Sequence, residues 1–250
     1  MNTLKTNTIK KHVFETRAEM GKKAATDIKN KIKELLESKS EIRMIFAAAP
    51  SQNDVLEHLI KSEDIEWNRI IAFHMDEYIG LPKDAPQLFS NFLKDHLFSL
   101  VPFKKVHLID GSNTKDECKR YTELISEQPI DIVCLGIGEN GHIAFNDPPV
   151  ADFNDAELVK EVVLDDVCRQ QQVNDGCFTT LNQVPKSAYT LTIPALTSGQ
   201  YLFCVVPGVT KKEAVYQTLN YPEISTKWPS TILRTHNNCL FYFDNDSYNK

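Results

Sequence analysis

Residues Ile130–Pro149 read IDIVCLGIGENGHIAFNDPP. The apolar run that closes at Leu135 is the pattern of a strand covered on both faces, and it passes without a break into a glycine-rich turn, Gly136–Gly141. A strand hidden on both sides belongs to a parallel sheet sandwiched between helices. Working outward, further strands are predicted at Ile42–Ala48, Arg69–Met75, Val106–Ile109, Val159–Leu164, Tyr189–Ile193, Tyr201–Val206 and Cys239–Phe243. Helices are predicted between them at Asp54–Lys61, Phe89–Ser99, Asp116–Glu127 and Lys211–Leu219, with a short turn at Ser230–Thr235. A first helix over Glu15–Ser38 carries an apolar stripe of Ala18, Ala25, Ile28, Ile32 and Leu35 at helical spacing. This alternation gives an α/β class: one doubly wound, mostly parallel, Rossmann-like sheet with helices on both faces, expected as a single domain over residues 1–250.

Composition narrows the function classes. The 250 residues are 42% hydrophobic and 25% charged, ordinary values for a globular chain and poor ones for disorder or a coiled coil. Acidic residues outnumber Lys and Arg by 34 to 28, so the field has the wrong sign for a phosphodiester backbone and no nucleic-acid partner is expected. Apolar runs such as Ile42–Pro50 fall short of the roughly 18 residues that span a bilayer, so no membrane partner is expected either. The opening segment MNTLKTNTIKKHVFE has lysines but no apolar h-region, which points to a cytoplasmic protein. The six cysteines, Cys118, Cys134, Cys168, Cys177, Cys204 and Cys239, include no CxxC pair and read as free thiols rather than metal ligands.

In an open parallel sheet, ligands bind beyond the carboxyl ends of the strands, so polar residues just after each strand come first. GIGENG matches GxGxxG, but a dinucleotide site needs a long helix next, and Pro148 and Pro149 allow only about one turn. The glycines fit a loop wrapped around another polar ligand. Within this loop stand Asn140, His142 and Asp147, an imidazole with a carboxylate near enough in sequence to orient it. In FHMDEYIGLP, Asp76 and Glu77 follow a strand among apolar neighbours, where desolvation would make a carboxylate a stronger base. In PGVTKKEAV, Lys211 and Lys212 open a helix with Thr210 as N-cap, an arrangement that opposes the helix dipole unless an anion binds there. AAAPSQN adds Ser51 as a hydroxyl on a second strand-to-helix turn, and Ser51 with Lys211 would make a compact monophosphate site.

Together, FHMDEYIGLP, LGIGENGHIAFNDPP, VPKSAYTLTIPAL, VPGVTKKEAV and PSTILRTH resemble, in order and over nearly the whole chain, the glucosamine-6-phosphate deaminase (isomerase) family, which is related to the 6-phosphogluconolactonases. The lactonases typically continue after Gly-His with TASLFP and carry DERxVP in place of MDEYIG. The resemblance implies that Asp76 moves a proton between C2 and C1 of an open-chain sugar, that His142 opens the pyranose ring, and that Asn140 and Asp147 are its polar partners. It implies phosphate binding by Lys211 and Ser51, with Arg169 in VCRQQQ as the best match for a phosphate arginine. Asn140 stands where some members have Asp, and Asp147 where Glu is usual; the shorter carboxylate is expected to reach the imidazole through water.

The reaction so implied turns a 2-amino-2-deoxyhexose 6-phosphate, glucosamine 6-phosphate first among them, into a ketohexose 6-phosphate and ammonia. It needs no metal and no redox cofactor, and none is expected. A lactonase, with His142 activating water, is the alternative enzyme. The alternative from another class is a sugar-phosphate sensor of the kind found behind a DNA-reading domain; only one amphipathic helix precedes the first strand predicted here. Hexameric relatives answer to an N-acetylated sugar phosphate, and a homo-oligomer is compatible with the resemblance. The segment after the catalytic loop, VADFNDAELVKE, nevertheless sets Asp152, Asp155, Glu157 and Glu161 against Lys160 alone, so no effector phosphate is expected to bind it.

Overall fold

The computed structural model describes residues 8–112 and 115–249; part of the N-terminal segment read for a targeting signal lies outside them. The strands are β1 (Lys10–Phe14), β2 (Ile42–Phe46), β3 (Ile70–His74), β4 (Asp76–Tyr78), β5 (Lys105–His107), β6 (Ile132–Leu135), β7 (Val159–Val163), β8 (Ser187–Leu191), β9 (Tyr201–Val206) and β10 (Cys239–Asp244). The helices are α1 (Arg17–Ser38), α2 (Asn53–Ile60), α3 (Phe89–Leu93), α4 (Glu117–Ser126), α5 (Asp166–Asn174), α6 (Ile193–Thr197), α7 (Lys212–Asn220) and α8 (Asn245–Tyr248).

Local chemistry explains where these elements begin. Helix α1 starts at a capping box, with the Thr16 hydroxyl accepting from the Glu19 amide and the Glu19 carboxylate accepting from the Thr16 amide. Its buried stripe, Met20, Ala24, Ala25, Ile28, Ile32, Leu35 and Leu36, lies on the sheet. Strands β2 and β6 are buried at every position, which a strand with helices on both sides requires. Within β2, Ile45 joins one core cluster while Met44 and Phe46 join the one on the opposite face.

Seven strands pair in the order β1-β10-β9-β6-β2-β3-β5, all parallel. From β2 the chain moves outward through β3 and β5, then returns to the other side of β2 as β6 and continues outward through β9 and β10. That reversal is the topological switch point, where the loops after adjacent strands diverge and leave a crevice. Strands β7 and β8, predicted as members of the same sheet, instead form a separate three-stranded antiparallel sheet in which β8 pairs with β4 on one side and β7 on the other. An apolar run says that a strand is buried but not against which sheet. Strand β1, short and half exposed, and helix α5, rich in glutamine, carry too little periodic apolar signal to be predicted. Among the described residues, no helix is long and apolar enough to cross a membrane.

One buried cation ties the sheet to its helical cover. Arg43 on β2 lies over the Phe73 ring and donates to the carbonyls of Leu124, Ile125 and Gln128 at the end of α4. Its own amide donates to Asp131. Each buried carbonyl that loses its donor costs about 1 kcal/mol or more. Arg43→Met should therefore lower unfolding free energy by roughly 2–4 kcal/mol, read as a reduced urea midpoint; a midpoint within error of the parent would show that these carbonyls find water instead.

Candidate active site

The loops after β2, β3, β6 and β9 meet around a cavity of about 330 Å³. Its wall includes Ser51 from the loop after β2, Asp76 from the start of β4 just past β3, Gly138 and His142 from the loop after β6, and Thr210 and Lys211 from that after β9. Four of the residues singled out in the sequence, Ser51, Asp76, His142 and Lys211, thus line one crevice at the switch point.

Asp76 and Glu77 divide the two roles open to a carboxylate pair. They are neighbours on β4, so their side chains leave opposite faces of the strand. Glu77 is fully buried and accepts from the amides of Tyr78, Phe89 and Ser90, which satisfies the first turn of α3. Asp76 lines the cavity, is 8% exposed, and makes no hydrogen bond with any described residue. Burial, reinforced by the Glu77 charge, holds its pKa well above the ordinary carboxylate value.

His142 is held from behind. Its Nδ1 lies 2.9 Å from both Asn140 Oδ1 and Asp147 Oδ1, and the Asn140 amide donates to the same Asp147 oxygen at 2.8 Å. Two acceptors on Nδ1 fix the tautomer that carries its proton there, which leaves Nε2 with the lone pair. Asp147 reaches the imidazole directly rather than through the expected water, because the chain turns tightly through the Ile143–Asn146 bridge and brings the two side chains together. Gly138 is part of this fit: a Cβ there would fall 2.1 Å from the imidazole. Ala144, in the same loop, takes a left-handed backbone at φ 50°, a strained conformation for a residue with a Cβ. Burial would raise the Asp147 pKa, but the electrostatic attraction of the adjoining His142 ring and the donors His142, Asn140 and Cys168 outweigh it and hold the carboxyl below its usual value. Cys168, on α5, brings its sulfur into this group; the His142, Asp147 and Cys168 donor atoms lie within 4.8 Å of one another. Nitrogen, oxygen and sulfur of this kind could ligate a zinc ion, although in this structure they serve each other.

At the last loop, Thr210 lies inside a 3-10 turn, Val209–Lys211, and Gly208 takes the N-cap position predicted for Thr210. Lys211 follows at the start of α7, 7% exposed, and its ammonium makes no hydrogen bond or ion pair with any described residue. Burial pushes its pKa down, and Asp175 and Glu139 push it partly back.

Arg169 is not in the cavity wall. Its guanidinium donates to the carbonyls of Leu181 at 2.7 Å and Val184 at 3.1 Å and pairs with Asp166, binding α5 to the turn that follows. Gln171 and Gln172, two and three positions on around the same helix, reach the cavity instead, together with Asp175. Arg17, from the opposite end of the chain, also lines it. None of these four was predicted; the run of three glutamines between strand and turn was the available signal for α5, and Arg17 offered none.

Residues 15–242 match the family model described as glucosamine-6-phosphate isomerases/6-phosphogluconolactonase. The chain belongs to this family. A glucosamine-6-phosphate deaminase of Clostridium acetobutylicum is 32% identical over 232 residues, 90% of this chain and 93% of that protein. One from Lactobacillus delbrueckii subsp. bulgaricus is 32% identical over 202 residues, 80% and 83% of the two chains. Among solved structures, one described as a monomeric glucosamine-6-phosphate deaminase matches with a TM-score of 0.85 at 27% identity, over 96% of this chain and 98% of that one. The 6-phosphogluconolactonase of Thermotoga maritima shares the fold, with a TM-score of 0.77 at 22% identity over 95% and 100%.

The unpartnered Asp76 carboxylate makes a prediction about stability. Folding raises its pKa, so this group contributes most favourably below the ordinary carboxylate value of about 4 and loses that contribution as pH rises through the folded-state value. Asp76→Asn should therefore melt higher than the parent at neutral pH, with the gain shrinking on acidification below that value. Equal melting temperatures at neutral pH would show that the carboxylate is not held against its preference.

Proposed function

We propose that this enzyme deaminates a 2-amino-2-deoxyhexose 6-phosphate, with glucosamine 6-phosphate as substrate, to the ketohexose 6-phosphate and ammonia. The observation that carries the reading is one cavity holding a buried carboxylate and a buried ammonium, Asp76 and Lys211, neither with a side-chain partner among the described residues. A sugar phosphate supplies what each lacks: an acidic C–H for the first and an anion for the second. The family membership and the deaminase relatives support the same reading. It implies a cytoplasmic enzyme whose partner is a small molecule rather than nucleic acid or membrane, and whose reaction uses no added cofactor.

The geometry orders the steps. With Nδ1–H held by Asp147 and Asn140, Nε2 of His142 takes the proton of the anomeric hydroxyl and returns it to the ring oxygen, which opens the pyranose to the aldehyde. Asp76 then takes the C2 proton, made acidic by the neighbouring carbonyl, and delivers it to C1. The resulting iminium at C2 adds water and releases ammonia, so sugar phosphate and water become ketose phosphate and ammonia. Desolvation of Asp76 strengthens it as a base, and anchoring of the 6-phosphate by Lys211 and Ser51 holds C2 against it.

Ammonia release from a panel containing glucosamine 6-phosphate and galactosamine 6-phosphate, with a chelator present, tests the assignment. Hydrolysis of 6-phosphogluconolactone without any deamination would overturn it. Asp76→Asn should reduce kcat by roughly 10²–10⁴-fold, and the acid limb of the parent's kcat/KM profile should lie above the ordinary carboxylate range, since the base must be ionised. An acid limb at the ordinary value would remove Asp76 as the base.

Regulation follows from the segment after the catalytic loop. Its Lys160 ammonium is engaged by Asp155 at 2.6 Å and by the Val150 carbonyl at 3.0 Å, which leaves acidic side chains around it. The enzyme should therefore show hyperbolic initial rates that an N-acetylated amino-sugar phosphate leaves unchanged. Sigmoidal curves made hyperbolic by that compound would contradict this expectation.

A further inference from the structure

We propose that Arg17, in the first turn of α1, supplies the guanidinium of the phosphate subsite and completes it with Ser51 and Lys211. The inference rests on the sugar-phosphate reading above and adds a residue from the far N-terminal side of the fold.

Charge is the first argument. A phosphate monoester carries about −1.5 to −2 at neutral pH, and Lys211 offers a single positive charge that Asp175 and Glu139 partly offset. A second cation is needed. Arg169 cannot provide it without giving up the carbonyls of Leu181 and Val184. Arg17 is the other guanidinium available, and it lines the same cavity as Ser51 and Lys211.

Position is the second. The Arg17 Nε pairs with Asp54 at the start of α2, and its Nη2 donates to the carbonyl of Pro50, the residue before Ser51. A guanidinium has five N–H donors, so these two contacts fix its plane and leave three for a ligand. The pairing therefore braces the phosphate loop and aims the side chain at once. Arginine suits the task because its fork can meet two oxygens of one phosphate together.

The backbone shows how the arrangement is reached. Helices α1 and α2 approach so closely at Gly21 that a Cβ there would lie 2.4 Å from the Asp54 Cβ. Glycine at this position lets the first turn of α1 sit against the loop after β2, one turn from Arg17. The ionic contact and the close packing both converge on Asp54.

The test compares Arg17→Ala, Arg17→Lys and Lys211→Ala by titration calorimetry with inorganic phosphate and by steady-state kinetics with the amino-sugar 6-phosphate. Arg17→Ala should weaken phosphate binding and raise KM by roughly 10- to 100-fold, the range of charge-assisted hydrogen bonds, with kcat less affected; Arg17→Lys should recover part of the loss. A fall in kcat and melting temperature with unchanged phosphate affinity would reduce Arg17 to a brace for the loop and overturn the proposal. Should Arg17→Ala fail to fold, Arg17→Lys decides: phosphate affinity equal to the parent's overturns the proposal, and an intermediate affinity supports it. If Lys211→Ala loses phosphate while the Arg17 variants do not, the inference fails and the phosphate reading stands. If no variant changes phosphate binding, the phosphate reading itself fails.

Discussion

The ladder between Asp76–Tyr78 and Ala188–Thr190 is the constraint on which the rest of the site depends. Three residues of antiparallel strand impose strict alternation, and alternation gives two adjacent acids opposite surroundings. Glu77 is turned toward the amides of α3 and becomes a structural acceptor; Asp76 is turned into the cavity and left without a donor. A shift by one residue would exchange them, turning Glu77 toward the cavity and Asp76 toward the amides of α3. The Tyr78 ring, packed against Phe89, Phe145 and Phe178, helps hold that register by filling an apolar cluster of its own.

Around this fixed carboxylate the protein accepts electrostatic cost in two places. Asp76 and Lys211 are both buried without side-chain partners among the described residues, an arrangement that folding alone would disfavour and that a bound ligand would relieve. His142 is treated differently: its Nδ1 side is fully engaged, and only the remaining nitrogen is free for chemistry. The contrast separates a ring held in one orientation from charges left open to the cavity. The short Asp147 side chain meets the imidazole directly beside the turn through Ile143–Asn146, and Asn140 touches both partners.

Much of this was legible in the residues themselves. Strands buried on both faces write themselves as unbroken apolar runs, so β2, β6 and β9 and the α/β class follow from the sequence alone, and loops at strand ends are where polar residues gather. Ser51, Asp76, His142 and Lys211 were found by that rule, because each lies within a few residues of the strand that positions it. Tertiary structure decided what local pattern cannot express. Whether β7 and β8 join the main sheet depends on pairing partners far away in the chain, and an apolar run is the same in either sheet. Which face of α5 meets the cavity is a matter of helical phase against the rest of the fold; a rotation of two or three residues separates Arg169, bonded to carbonyls, from Gln171 and Gln172 in the wall. Arg17 reaches the Pro50 carbonyl across 33 positions because Gly21 lets two helices touch. Sequence fixes what is decided within one element and its adjoining turn, where the chain itself sets the distance; contacts between elements are set by packing, and only the folded chain contains them.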